Sequence, residues 1–153
     1  MPKTTATWIS GRQFVAETTT GHAVVMDAPQ ASGGRDTAPS PVELLLVGLA
    51  GCTGVDVVYI LGERMKKPLT GLSVEVSGTR AETEPKVYTA IDVIYRVKGR
   101  GLLEKDVRRA ISLSAEKYCS ASIMLGKTAK ITSRFTLTDE DTSDVIEGTI
   151  EHA

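Results

Sequence analysis

The chain has 153 residues, 41% hydrophobic and 24% charged, with a net charge of −1. That length supports one domain with a well-buried core, and the composition is ordinary for a soluble globular protein. Near-neutral charge excludes nucleic acid or an acidic membrane surface as the main partner; no signal-peptide pattern opens the chain, so a cytoplasmic location is expected.

The pattern predicts short strands at Trp8–Ser10, Gln13–Thr18 and Ala23–Asp27, with turns at Gly11-Arg12 and Thr20-Gly21. Residues 28–40 are rich in Gly, Pro and Ser and read as a loop. A helix then begins at Ser40. The serine is a good N-cap, Pro41 suits the first helical position, and Glu43 completes a capping box. The helix runs to about Met65, where Lys66-Lys67-Pro68 closes it. Between Glu43 and Glu63 only Asp56 is charged, so this helix is expected at the centre of the fold and not on its surface. Glycines, Cys52, Thr53 and Asp56 interrupt its apolar run, which argues against a membrane span.

Leu72–Arg80 and Lys86–Val97 alternate as a hairpin, with Val87, Thr89, Ile91, Val93, Tyr95 and Val97 sharing one face. A second helix is predicted over Glu104–Tyr118, its apolar positions Leu103, Val107, Ala110, Ile111 and Ser114 recurring at helical spacing. A helical turn follows at Ile123–Gly126. Ala129–Leu137 then reads as a strand with Ala129, Ile131, Ser133, Phe135 and Leu137 inward. Residues 139–153 hold six acids and neither Lys nor Arg. They read as a solvated, partly mobile tail, although Val145, Ile146 and Ile150 leave open a strand at a dimer edge. No repeat or linker divides the chain, which reads as a single domain over 1–153 with an acidic tail.

The chemistry rests on two cysteines, Cys52 in the first helix and Cys119 at the end of the second, each flanked by small residues. An unperturbed thiol is only about 3% thiolate at pH 7, and lowering its pKa by about 2.5 units takes about 3.4 kcal/mol. Cys52 lies mid-helix, too far from the N-terminal dipole, and burial acts in the wrong direction. A cation must come from elsewhere; Arg12, Arg35 and Lys127 are candidates, each beside a glycine. Asp56, four residues after Cys52, shares its helix face and needs a partner: an arginine that also serves the thiolate, or a contact that only ties the helix down. Glu43 falls roughly opposite Cys52 on the helix and acts there as a cap. His22 reads as a turn residue. With only His22 and His152, neither a Cys–His pair nor a metal site is supported, and no phosphate or dinucleotide loop occurs. From the residues alone, two structural cysteines and a redox pair both remain open.

Pro39-Ser40-Pro41-Val42-Glu43-Leu44-Leu45-Leu46, then Gly51-Cys52, and later Lys117-Tyr118-Cys119-Ser120, resemble the OsmC/Ohr family of osmotically inducible and organic-hydroperoxide-resistance proteins, nearest its YhfA-like branch. The resemblance spans about residues 6–137. It implies an α+β fold with antiparallel sheets wrapped around long central helices in an intertwined homodimer, with active sites at the subunit interface. It implies a thiol peroxidase: Cys52 attacks an organic hydroperoxide to become a sulfenic acid, Cys119 resolves it as a disulfide, and an external dithiol, lipoyl-type in the Ohr branch, restores the pair. No metal or bound cofactor is implied. The family's thiolate-pairing arginine corresponds to Arg12. Val42 stands where the family's catalytic glutamate usually does, with Glu43 one residue later, so Asp56 is the candidate substitute partner for Arg12 or Arg35. The alternative on the same fold is a redox-sensing or small-ligand-binding protein without turnover.

Overall fold

The computed structural model describes residues 1–152. They form two compact units, one of residues 1–45 and one from residue 46 onward. In the first, β1 (Thr5–Ser10), β2 (Gln13–Glu17) and β3 (Ala23–Met26) make an antiparallel sheet in that order, within a residue or two of the predicted strands except that β1 begins earlier. Asp27, buried just after β3, organises the following loop. Its carboxylate accepts from the backbone N–H groups of Ala28, Arg35 and Thr37 and from the Thr37 hydroxyl. Inside that loop a single 3-10 turn, Gln30–Ser32, ends on Gly33 at φ 81°, a left-handed conformation that a β-carbon would strain.

Helix α1 (Pro41–Val58) starts where its capping residues say it should: the Ser40 hydroxyl accepts from the Glu43 N–H at 3.2 Å. It continues without a break into a π-helical turn, Tyr59–Arg64, so one helical rod runs from Pro41 to Arg64. By length and a mean hydropathy of 2.1, that rod meets the requirement for crossing a bilayer. Leu49, Thr53, Val57, Ile60 and Leu61 are nevertheless packed inside the protein. The expected burial on all sides is corrected: Val47, Val55, Val58 and Tyr59 are exposed, Val55 at 70%. An apolar sequence fixes that a face avoids water, not that its own chain covers it.

In the second unit, β4 (Leu69–Arg80), β5 (Tyr88–Gly99), β6 (Lys130–Asp139) and β7 (Val145–Glu151) form one sheet in chain order. The expectation of antiparallel sheets needs one correction, because β5 and β6 run parallel, Ile91 opposite Ile131 through Gly99 opposite Asp139. The crossover between them holds α2 (Glu104–Leu113), a second π turn (Ser114–Tyr118) and α3 (Ser120–Leu125), enough chain to return to the starting edge. The buried face of β5 is Ile91, Val93, Tyr95 and Val97; Val87 and Thr89, expected on it, are exposed because Val87 precedes the strand and Thr89 is the extra residue where the β4–β5 register shifts. Val107, Ala110 and Ile111 of α2 are buried as predicted, while Leu103 is exposed at the helix start.

The mobile-tail expectation is also corrected. Residues 145–151 form β7, antiparallel to β6, with Ile150 buried. Asp139 fastens the turn by accepting from the N–H groups of Gly101, Asp141 and Thr142, and Arg108 of α2 donates to the Thr149 carbonyl at 2.9 Å. The acids of the tail alternate with apolar residues, so charge on one face did not prevent pairing on the other. Ala153 lies outside the described residues.

Candidate active site

Cys52 and Cys119 are both free thiols, and the fold brings them close enough for the Cys52 side chain to act on the Cys119 thiol. Cys52 is half-buried on α1. Cys119 is fully buried at the N-cap of α3, where its sulfur accepts from the Ser122 N–H at 3.4 Å. The preceding π turn sets its place: the Cys119 N–H donates to the Ser114 carbonyl at 2.8 Å. Burial pushes the Cys119 thiol up from its ordinary value of 9.0, and the neighbouring Cys52 adds to the rise, while the Ser122 contacts oppose it. Cys119 therefore rests as a neutral thiol, as suits a group that waits for an oxidised partner rather than attacking first.

Asp56, one turn after Cys52, accepts from the Ser114 hydroxyl at 2.9 Å. Ser114 also bonds the Thr53 hydroxyl at 2.8 Å, and Thr53 bonds the Tyr95 hydroxyl at 2.7 Å. Desolvation raises the Tyr95 pKa above 10.0, partly offset by its hydrogen bonds to Thr53 and Ser133; the charges of Cys119 and Asp56 act in the same direction as burial. Tyr95 thus keeps its proton beside the dithiol. An open cavity of about 820 Å³ runs along the helix, with Asp56 in a wall otherwise formed largely by Val55, Val58, Tyr59, Leu72 and Val74.

The remaining sequence candidates have local partners of their own. Arg12, Arg35 and Glu43 belong to the first unit. Arg12 donates to the Ser32 carbonyl, Arg35 donates to the Ser10 hydroxyl at 2.7 Å, and the backbone N–H of Glu43 donates to the Ser40 hydroxyl. Lys127 lines a separate cavity with Ser122 and His152. His22 sits in its turn, its Nδ1 2.9 Å from the Thr20 hydroxyl. No group of His, Cys, Asp and Glu among the described residues is arranged to hold a metal. Thr53, Tyr95, Ser133 and His152 were not singled out from the sequence. A signal was present: Tyr95, Ser114 and Ser133 stand at inward positions of three different elements, and an inward hydroxyl needs a partner.

Helices and a mixed sheet make this an α+β protein. Residues 33–134 match the family described as OsmC-like protein, and the chain belongs to that family. Protein YhfA of Escherichia coli strain K12 is 38% identical over 128 residues, 84% of this chain and 92% of its own length. A solved structure of a hypothetical protein from Aquifex aeolicus VF5 superposes with a TM-score of 0.77 at 29% identity, covering 92% of this chain and 98% of that one. An organic hydroperoxide resistance protein OsmC from Legionella pneumophila shares the fold, with a TM-score of 0.66 at 20% identity over 87% of this chain and 94% of its own.

Proposed function

We propose that the chain is a thiol-dependent reductase of organic hydroperoxides. The observation that carries this reading is the meeting of the only two cysteines, one half-exposed and one buried with a raised pKa. In the reaction, the Cys52 thiolate attacks the peroxide, the O–O bond breaks, and a sulfenic acid forms. The Cys119 thiol then displaces water from it to give a disulfide. An external dithiol, lipoyl-type by family analogy, reduces that bond by exchange. The reading needs no metal or bound cofactor. The name of the Legionella relative, an organic hydroperoxide resistance protein, points the same way.

The same reading makes the working form a cytoplasmic homodimer. Val47, Val55, Val58 and Tyr59 form an apolar face on α1 that a second copy would cover. Arg12, with Arg35 as second candidate, is assigned the thiolate-stabilising charge; Arg12→Ala and Arg35→Ala in the assay below rank the two.

Stopped-flow consumption of cumene hydroperoxide with a dithiol reductant tests the proposal. Wild type turns over and Cys52→Ser does not; equal inertness of the two sinks the enzyme reading in favour of a sensing or binding role. One equivalent of peroxide should remove two thiols per chain without cross-linking chains.

A further inference from the structure

Peroxide reduction by two thiols has a second step that peroxide itself does not drive: Cys119 must reach the oxidised Cys52 before another peroxide does. Two buried stripes end in a polar contact beside that pair. On the rod from Pro41 to Arg64 the stripe is Leu49, Thr53, Val57 and Leu61, four residues apart and fully buried. On the second helix and its π turn it is Val107, Ala110, Ile111 and Ser114, equally buried. Each stripe carries one hydroxyl, and the two hydroxyls meet, Thr53 and Ser114 lying 2.8 Å apart.

Apolar stripes alone fix a register poorly, because the attraction between them has no direction. The hydroxyls do fix it. A slip of either element by one residue would leave both buried oxygens facing hydrocarbon, and buried polar groups are held where they find partners. Tyr95 of β5 closes the contact from the sheet, its hydroxyl 2.7 Å from that of Thr53, and Asp56 closes it from the rod, accepting from the Ser114 hydroxyl at 2.9 Å. Each hydroxyl has one hydrogen to give. Ser114 gives its hydrogen to Asp56, so Thr53 must donate to Ser114, and Tyr95 to Thr53.

Both cysteines hang from this contact. Cys52 immediately precedes Thr53, and Asp56 lies one turn beyond it on the same helix face. The Ser114 carbonyl accepts from the Cys119 N–H at 2.8 Å. Ser114 is therefore bonded both to the helix that carries Cys52 and to the backbone of Cys119.

We propose that Ser114 is a positioning residue for disulfide formation: through Thr53 and Asp56 it pins the second helix in the register that presents Cys119 to Cys52. This role rests on the peroxidase reading and concerns only its second step. After the attack on peroxide, Cys52 is a sulfenic acid. The Cys119 sulfur displaces the hydroxyl: an S–S bond forms, the S–O bond breaks, the Cys119 sulfur is oxidised, the Cys52 sulfur is reduced, and the leaving hydroxide takes the thiol proton to become water. A bridge of this kind needs the two Cα atoms within about 7 Å and their Cβ vectors turned toward each other. Ser114 takes no part in the bond changes; it acts through position. With the pin loosened, the sulfenic acid waits longer, and a second peroxide converts it to a sulfinic acid, which a dithiol does not restore.

Quenched-flow oxidation of the full chain separates the two steps. Reduced protein is mixed with cumene hydroperoxide and quenched with dimedone, which traps sulfenic acid; intact mass then reads sulfenic acid, disulfide and sulfinic acid. Ser114→Ala should form sulfenic acid within about twofold of the wild-type rate but close the disulfide about tenfold more slowly. In excess peroxide it should end as sulfinic acid where wild type ends as disulfide. Asp56→Ala should also slow closure, and adding it to Ser114→Ala should slow it no further, because both cut the same contact. A general loosening of the fold would change both steps together, so the ratio of the two rates isolates position. Closure at the wild-type rate in Ser114→Ala, equal slowing of both steps, or a double variant whose defect is the product of the single ones overturns the proposal and leaves the peroxidase standing. Wild type that forms no sulfenic acid or no disulfide sinks the peroxidase reading, and the role of Ser114 with it.

Discussion

Replacing Thr53 by valine removes one hydroxyl and keeps the shape of the side chain. Thr53 is fully buried and bonded to both Tyr95 and Ser114, at 2.7 and 2.8 Å. Two hydrogen bonds are lost, at about 1 kcal/mol each, and the Tyr95 hydroxyl is left donating to a methyl group, which costs about 1–3 kcal/mol for a buried donor. The added methyl returns about 1 kcal/mol of transfer energy. A net loss of about 2–4 kcal/mol follows, read as a lower urea midpoint at fixed protein concentration. Tyr95→Phe removes the stranded donor itself, so adding Thr53→Val to it should cost much less than Thr53→Val alone. The expected coupling in the double-mutant cycle is about 1–2 kcal/mol. Strict additivity, or a Thr53→Val protein within about 0.5 kcal/mol of wild type, would refute the reasoning that Tyr95 donates to Thr53 in the folded protein.

Two further outcomes are expected. The Thr37 hydroxyl, aided by the N–H groups of Thr37, Ala28 and Arg35, holds Asp27 below the ordinary 3.8 despite the opposing effect of burial. A depressed carboxyl contributes stability in full above its unfolded value, and that contribution disappears as pH falls through the folded one. The urea midpoint should therefore drop between about pH 5 and pH 3 in wild type and drop less in Asp27→Asn; equal slopes would remove Asp27 from acid unfolding. Val55→Glu puts a charge at the centre of the exposed face of α1 and should halve the mass of the proposed dimer in light scattering, whereas a mass equal to wild type would rule out this face as its interface.

The parts of the fold legible in the sequence were those set by local chemistry. Ser40, Pro41 and Glu43 marked the start of α1 to the residue, because a cap is a contact between neighbours in the chain. Alternation gave the buried faces of β5 from Ile91 onward and of β6. The parallel pairing of those strands was not legible, because it depends on where a long crossover lands. The exposed side of α1 was not legible either: hydropathy shows that a surface avoids water, but not which chain covers it. At the candidate site, the two sulfurs stood out because cysteine is scarce here, and their meeting needed the fold. The hydroxyl line was hidden for the opposite reason. Serine and threonine are common, and Thr53, Ser114 and Ser133 become distinctive only when placed against Tyr95. His152 sat in a tail whose acids masked an ordinary strand.

The π turn before Cys119 sets a phase as well as a contact. An α-helix repeats its backbone bonds every four residues, but the Cys119 N–H reaches back five, to Ser114. Ser114 thus holds the buried sulfur through its carbonyl and Asp56 through its hydroxyl. Removing one residue from 115–118 lets the ladder fall back to ordinary steps, and every side chain beyond it turns by about 100° and shifts by about 1.5 Å. Cys119 would swing away from Cys52 with both sulfurs still in the chain. The spacing between Ser114 and Cys119 therefore works like the pitch of a screw: a relative with the same two cysteines but one residue fewer in that turn would carry them out of step.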